Sequence, residues 1–253
     1  MSDWLVEVSP ISMSARSRII ALPWAGGGTA AYRRWGALLP ADVSLAIVRM
    51  PGRESRLRET PLTDMFAVVD ELAPIVANTL HVPTMIFGYS LGALIGYEVA
   101  ARLSATHGPE LAALAVGGAN APHVARIAAP LSNLDDGDFV AALRALQGTP
   151  VEVLEHPELL ALLLPALRAD FRLLDTYHPR DCEPLGIPII TYSGSADAEL
   201  TVAGVARWAE LTKGRTTHRT FPGGHFFLTE RPDVIVAAVS ADLARTLDER
   251  ATY

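Results

Sequence analysis

The pentapeptide Gly88-Tyr89-Ser90-Leu91-Gly92 places an alcohol between two glycines. It follows an apolar run, Pro83-Thr-Met-Ile-Phe87, and opens a helix-like segment from Leu91 to Leu103. Where a strand turns at once into a helix, the side chains on either side of the turn collide, and glycine at both flanks removes the collision. The serine hydroxyl then projects from the strand end above a helix N-terminus. There the Leu91 N–H and the helix dipole stabilise an oxyanion. Ser90 is the expected nucleophile. The competing reading is a serine that caps an ordinary strand-to-helix turn.

A serine needs a base near neutral pH. Of seven histidines, His225 lies in the glycine-loosened loop Phe221-Pro-Gly-Gly-His-Phe-Phe227, between the last strand pattern and the last helix pattern. In a doubly wound sheet that loop falls at the C-terminal strand edge, level with Ser90. His81, His107, His156 and His218 fall at turns or on polar segments and are expected on the solvated surface, while His123 and His178 border a long insertion and are weaker rivals. The imidazole needs a carboxylate to fix its tautomer. Folds built on this kind of elbow run serine, acid, histidine along the chain. Asp197, just past the strand pattern Ile187 to Tyr192, meets that order, with Glu199 its nearest competitor. Asp170, Asp175 and Asp181 lie in or beside the insertion and are expected as surface charge pairs.

The loop Pro23-Trp-Ala-Gly-Gly-Gly28 follows an early strand pattern, where the second oxyanion donor of such folds arises, and the Ala25 N–H is the candidate. A phosphate-binding loop is disfavoured: there is no G-x-G-x-x-G fingerprint and no Lys-Ser/Thr after the glycines. Trp24, Tyr89 and Phe226 adjoin these positions and are the candidates for substrate contact, whereas Trp4, Trp35 and Trp208 are expected to be packing residues. Arg53, Arg56 and Arg58 cluster with Glu54 and Glu59. That loop reads equally as a solvated, salt-bridged surface or as a basic patch for an acidic partner or phosphate.

The elements that must carry these residues alternate. Strand patterns at Arg18–Pro23, Val43–Val48, Pro83–Phe87, Leu111–Val116, Ile187–Tyr192 and Thr216–Thr220 alternate with helical patterns at Thr29–Leu39, Asp64–Leu80, Leu91–Leu103, Val202–Leu211 and Asp233–Leu247. Mostly apolar strands between helices predict an α/β fold with a mostly parallel sheet covered on both faces. About 70 residues separate the strand patterns ending at Val116 and starting at Ile187, where about a dozen suffice for a crossover. This interval holds helical patterns at Asp135–Leu146 and Pro157–Tyr177, and a lid over the site, residues 120–180, is the expectation.

Composition bounds the rest. The chain has 253 residues, a length that suits one α/β domain, and half of them are apolar, which excludes a disordered protein. The net charge of −7 argues against general nucleic-acid binding. The uncharged stretch Leu72–Tyr97 is broken by Pro74, His81, Pro83 and glycines, and reads as helix, turn, strand, turn, helix rather than a membrane span. A single cysteine, Cys182, excludes an internal disulfide and a multi-cysteine metal site. The first residues carry no signal-peptide pattern, and a cytoplasmic protein without metal or other cofactor is expected.

The segments Leu22–Gly28, Pro51-Gly-Arg53, Gly88–Gly92, Leu164-Pro-Ala-Leu-Arg-Ala-Asp-Phe171, Gly194-Ser-Ala-Asp197 and Gly223-Gly-His-Phe-Phe227, in this order and spacing, resemble the type II thioesterases, the stand-alone editing enzymes of polyketide and nonribosomal peptide synthases. The resemblance implies an α/β-hydrolase fold with a helical lid. It implies hydrolysis of aberrant or stalled acyl groups from the phosphopantetheine arm of acyl or peptidyl carrier proteins. It places Ser90, Asp197 and His225 in a triad, with Ala25 and Leu91 as oxyanion donors. The chain departs from the family at Trp24 and Tyr89, where histidine is common, at Leu91, often methionine, and at Ala198, usually proline. A chain that opens at Met1 with no synthase module points to the free editing form rather than a fused release domain. A carboxylesterase or lipase would use the same triad, and a hydrolase-like binding protein would keep only the pocket.

Overall fold

The computed structural model describes residues 3–9, 15–108, 110–126 and 129–251. Seven strands form its sheet: β1 (Leu5–Ser9), β2 (Ser17–Leu22), β3 (Val43–Val48), β4 (Thr84–Tyr89), β5 (Leu111–Gly117), β6 (Ile189–Gly194) and β7 (Thr216–Phe221). The helices are α1 (Met65–Ala77), α2 (Leu91–His107), α3 (Asp136–Leu146), α4 (Val151–Leu154), α5 (Pro157–Thr176), α6 (Val202–Ala206), α7 (Phe227–Glu230) and α8 (Pro232–Ala251). The sheet order is β1-β3-β2-β4-β5-β6-β7, parallel except for β1, which runs antiparallel to β3.

The expected strands are all present. β1 carries no expectation from the sequence: its Leu-Val-Glu-Val-Ser pattern is half polar, as suits an edge strand with one neighbour. The segment expected as a helix at Thr29–Leu39 is a 3-10 helix over Thr29–Ala37, which buries Tyr32 and Trp35 against the sheet. One apolar layer lies between the sheet and α1 and α2, and includes Trp208. A second joins the opposite face to Trp35 and α8. Trp4, Trp35 and Trp208 are packing residues, as expected, and truncating Trp35 or Trp208 would cost about 3–5 kcal/mol. The stretch Leu72–Tyr97 is the end of α1, a turn, β4 and the start of α2. Among the described residues, no helix is long and apolar enough to cross a membrane.

Between β5 and β6 the chain leaves the sheet to form α3, α4 and α5, which pack on each other through Phe139, Leu143, Leu154, Leu167 and Phe171. Residues 127 and 128 of the expected insertion lie outside the described residues. The two halves of α5 differ. Leu159 and Leu162 in the first are exposed, whereas Ala166, Leu167, Ala169, Asp170, Phe171 and Leu173 in the second are buried. Pro165 sits at the division and supplies no N–H to the helix.

The chain winds from β2 outward to β3, then crosses to β4 on the other side of β2. This reversal opens a crevice at the C-terminal ends of β2 and β4, where open α/β sheets bind ligands. In register, Leu22 of β2 stands beside Gly88 of β4, so the Pro23–Gly28 loop and Ser90 emerge side by side.

Candidate active site

Ser90 occupies the step between β4 and α2 with φ +53° and ψ −114°, a conformation that costs a non-glycine residue energy. The neighbours make the turn unavoidable. A side chain on Gly88 would overlap the Gly92 carbonyl, and one on Gly92 would overlap the Leu22 carbonyl of β2. The Ser90 N–H donates to the Gly117 carbonyl at 2.8 Å and ties the turn to the end of β5. Leu91 is the first residue of α2, so its N–H has no carbonyl within the helix to bind and faces the strand ends.

His225 and Asp197 come from the loops after β7 and β6. These loops hold each other through backbone bonds, Ser195 N–H to the Phe221 carbonyl at 2.8 Å and Ala196 N–H to the Gly223 carbonyl at 2.9 Å. Asp197 Oδ2 lies 2.8 Å from His225 Nδ1, and its Oδ1 accepts the Glu199 N–H at 3.0 Å. The Asp197 carboxylate is fully buried and the imidazole nearly so. Burial opposes the charged imidazole. The Asp197 hydrogen bond and charge, with a further contribution from Glu199, outweigh it and hold the His225 pKa above the usual histidine value. Glu199 therefore adds field but does not bind the ring.

Among the described residues, no other histidine lines the cavity that reaches both Ser90 and His225. His218 on β7 is exposed, as expected; its Nδ1 meets Thr191 Oγ1 at 2.7 Å, its Nε2 meets Thr220 Oγ1 at 3.1 Å, and partial burial lowers its pKa. His123 pairs with Glu210, and His156 caps α5.

Two cavities meet at Ser90. The first, about 530 Å³ of empty volume and open to solvent, is walled mainly by apolar groups, among them Trp24, Leu143, Leu146, Phe171 and Phe226, and it reaches both Ser90 and His225. The second, about 1710 Å³, is a more polar cleft running from Ser90 past Asn120, Arg126, Asp175 and His178. Trp24 and Phe226 thus stand where substrate contact was expected. Their rings meet edge to face, and Trp24 Nε1 donates to the Gly148 carbonyl of the insertion at 3.3 Å.

Three expectations need correction. Tyr89 is fully buried and lines neither cavity; it points beneath the base, where its hydroxyl donates to the His225 backbone carbonyl. Burial, reinforced by the Asp197 charge, raises its pKa and keeps it a neutral donor. The arginine loop is salt-bridged and partly exposed, with Glu54, Arg58 and Glu59 at the surface, but two of its three arginines turn inward and it forms no basic patch. Arg56 is buried between Glu59, the Arg49 carbonyl and the Trp4 ring, and Arg53 is buried against Asp170, which leaves Arg58 as the exposed one of the three. Asp170 is not a surface charge; it is 1% exposed and bonded to Arg53 Nη2 at 2.6 Å and to the Gly26 N–H at 2.7 Å. Sequence reasoning missed this pair, although both residues stand in the segments that carry the family resemblance. Among the described residues, no group of histidine, cysteine, aspartate or glutamate is placed to hold a metal ion.

Comparisons with known proteins bear on the family and the fold. A thioesterase domain family profile matches residues 17–243. The chain is 33% identical over 230 residues to the gramicidin S biosynthesis protein GrsT of Aneurinibacillus migulanus, covering 91% of this chain and 90% of that protein. It is 35% identical over 250 residues to the thioesterase PikA5 of Streptomyces venezuelae, covering 96% of this chain and 86% of that one. The solved structure of the type II thioesterase BorB, from the borrelidin biosynthetic cluster, superposes with a TM-score of 0.87 at 35% identity, covering 95% of this chain and 97% of that one. With the sheet order, the elbow and these matches together, the chain belongs to the thioesterase family and has its α/β-hydrolase fold.

Proposed function

We propose that this protein hydrolyses acyl thioesters carried on the phosphopantetheine arm of acyl or peptidyl carrier proteins, as a stand-alone editing thioesterase. One observation carries the reading: Ser90, strained at its elbow, shares a cavity wall with an imidazole whose far nitrogen is bound to a buried carboxylate. His225 takes the Ser90 proton as Oγ attacks the thioester carbonyl. The oxyanion lies between the Ala25 and Leu91 N–H groups. As the C–S bond breaks, His225 returns the proton to the thiolate, and water activated by the same imidazole then releases the acid. Asp197 fixes the ring tautomer and stabilises its charged form.

The two cavities suit the two ends of such a substrate. The apolar one between Trp24, Phe226 and the insertion takes the acyl group. The polar cleft takes the arm, and the insertion of residues 120–180 acts as a lid on a single domain. The biosynthetic context of GrsT and PikA5 and the type II naming of BorB support the carrier-bound substrate and the editing role. The chain is acidic, with net charge −7, and Arg53 and Arg56 are buried, so docking of a carrier protein relies on other groups around the cleft. Cytoplasmic residence is part of the proposal, in keeping with a lone free cysteine.

The test is a panel of acyl groups presented on a carrier protein, on a small thiol and as matched oxyesters. Thioester turnover well above oxyester turnover, fastest on the carrier, is the expected result. Faster oxyester cleavage would make the protein a carboxylesterase. Failure of a fluorophosphonate to label Ser90 would leave a binding protein.

A further inference from the structure

The Ala25 amide belongs to a loop whose shape does not come from the sheet alone. The Gly27 N–H donates to the Trp24 carbonyl at 2.8 Å, closing a four-residue turn. Its third residue, Gly26, has φ +77°, the value a type II turn requires there. In this turn the central peptide directs the Gly26 N–H outward, and Asp170 Oδ2 receives it at 2.7 Å. Arg53 completes the frame. One guanidinium nitrogen holds the other Asp170 oxygen at 2.6 Å, and a second holds the Gly27 carbonyl at 2.9 Å. Two successive residues of the turn are therefore fixed by one buried ion pair, whose members are 1% and 7% exposed. Asp170 belongs to the buried half of α5, and that helix lies so close that a side chain at Gly26 would overlap Leu167.

The Ala25 peptide leads directly into this anchor, so a turn released from Asp170 and Arg53 can shift over the strand ends and carry the Ala25 N–H with it, although a change of turn type alone leaves that N–H in place. A type I turn would reverse the central peptide and remove the Gly26 N–H from Asp170. We infer that Asp170 and Arg53 are positioning residues that hold the Ala25 N–H toward the oxyanion, and that oxyanion alignment therefore depends on the seating of α5. The inference rests on the assignment of that amide above. Neither residue lines the cavities at Ser90, so they act through the turn and not on substrate.

The test compares wild type with Asp170→Ala, Asp170→Asn and Arg53→Lys, each checked for folding by circular dichroism and thermal unfolding. Two rates are read: kcat and KM on an acyl thioester, and the second-order rate of Ser90 phosphonylation by a fluorophosphonate, which needs the same oxyanion donors. For Asp170→Ala, both kcat and the phosphonylation rate should fall by about 10²-fold, the order that a small misplacement of catalytic groups costs. KM should stay within about threefold, and the pH midpoint set by His225 should not move. Asp170→Asn keeps one of the two contacts and should fall between. A purely structural role would lower the melting temperature or raise KM and leave the phosphonylation rate near wild type; that result overturns the inference. Should Asp170→Ala not fold, Arg53→Lys decides. A lysine cannot bridge Asp170 and the Gly27 carbonyl in the guanidinium's fork, so a loss of several-fold in phosphonylation is expected, and wild-type rates would overturn the inference. If wild type is phosphonylated at Ser90 yet cleaves no acyl thioester, the substrate assignment fails while the positioning inference is judged on phosphonylation alone. If Ser90 is not phosphonylated at all, both fall.

Discussion

The two sides of the candidate active centre are assembled by different means. On the acid–base side, the loops carrying Asp197 and His225 bind each other through backbone groups, and a core tyrosine holds the His225 carbonyl from below. Every contact there comes from the sheet or its immediate ends. On the proposed oxyanion side, the Trp24–Gly28 turn has one internal backbone bond, and its other anchors reach distant segments, two of them through the side chains of Asp170 and Arg53. Asp170, 144 residues from Gly26, comes from the insertion, and Arg53 from the loop after β3. Glu54 adds a bond to the Thr29 N–H at 2.7 Å. The first side is rigid by construction. The second is conditional on the insertion between β5 and β6. On the proposed mechanism, proton transfer and charge stabilisation should thus be open to separate disturbance.

Substitutions can break that contrast, from the largest effect downward. Ser90→Ala should abolish thioester hydrolysis in a folded protein, and retention of a tenth of wild-type turnover would move the nucleophile elsewhere. Asp197→Asn should lower kcat by about 10⁴-fold, because the wrong tautomer is then held. Unlike the Asp170 variants, it should also move the pH profile. His225 must be neutral to act as a base, and its pKa is held above the ordinary value, so turnover is lost as pH falls through that raised midpoint. Removing the Asp197 charge should shift the midpoint to lower pH. Glu199→Gln should shift it in the same direction by less and leave the plateau near wild type, and a larger loss than Asp197→Asn would reassign the acid.

Tyr89→Phe removes one hydroxyl from the rigid side. It should cost about 1 kcal/mol of stability, measured by denaturant unfolding, and lower kcat a few-fold without changing acyl preference. A changed acyl-length profile would instead return Tyr89 to the pocket. Gly148→Ala probes the conditional side at the substrate wall. A side chain at Gly148 would press on the Phe226 ring, so longer acyl groups should lose kcat/KM several-fold while acetyl is little affected. An unchanged chain-length panel would show that the wall yields.

The contrast also explains what the sequence disclosed. Ser90 was legible because its flanking glycines answer a steric problem that few other turns pose. Asp197 and His225 were legible because strand-end loops in a doubly wound sheet fall on one edge, whatever their content. The acid–base side is thus written locally. The Arg53–Asp170 pair was not legible from spacing, since its members are 117 residues apart and isolated charges are usually solvated. The Tyr89 hydroxyl was misassigned for a related reason. Sequence places it beside the nucleophile, but alternation along β4 sends its side chain beneath the loop rather than into the cavity. In the fold, β1 escaped notice because an edge strand need not be apolar throughout.

The division of α5 at Pro165 bears on how such enzymes diversify. Before the proline, Leu159 and Leu162 are exposed and Leu160, Leu163 and Leu164 are half-buried, while the residues after it include the anchor of the Ala25 turn. The first segment lines neither cavity at Ser90, whereas Phe171 and Leu174 of the second wall the apolar one, so replacing the first segment with that of a relative should leave both that wall and the Asp170 anchor in place. Ancestral drift and laboratory recombination therefore have a natural splice point here: the front of one helix is open to revision, and its rear, which carries both cavity wall and anchor, is constrained.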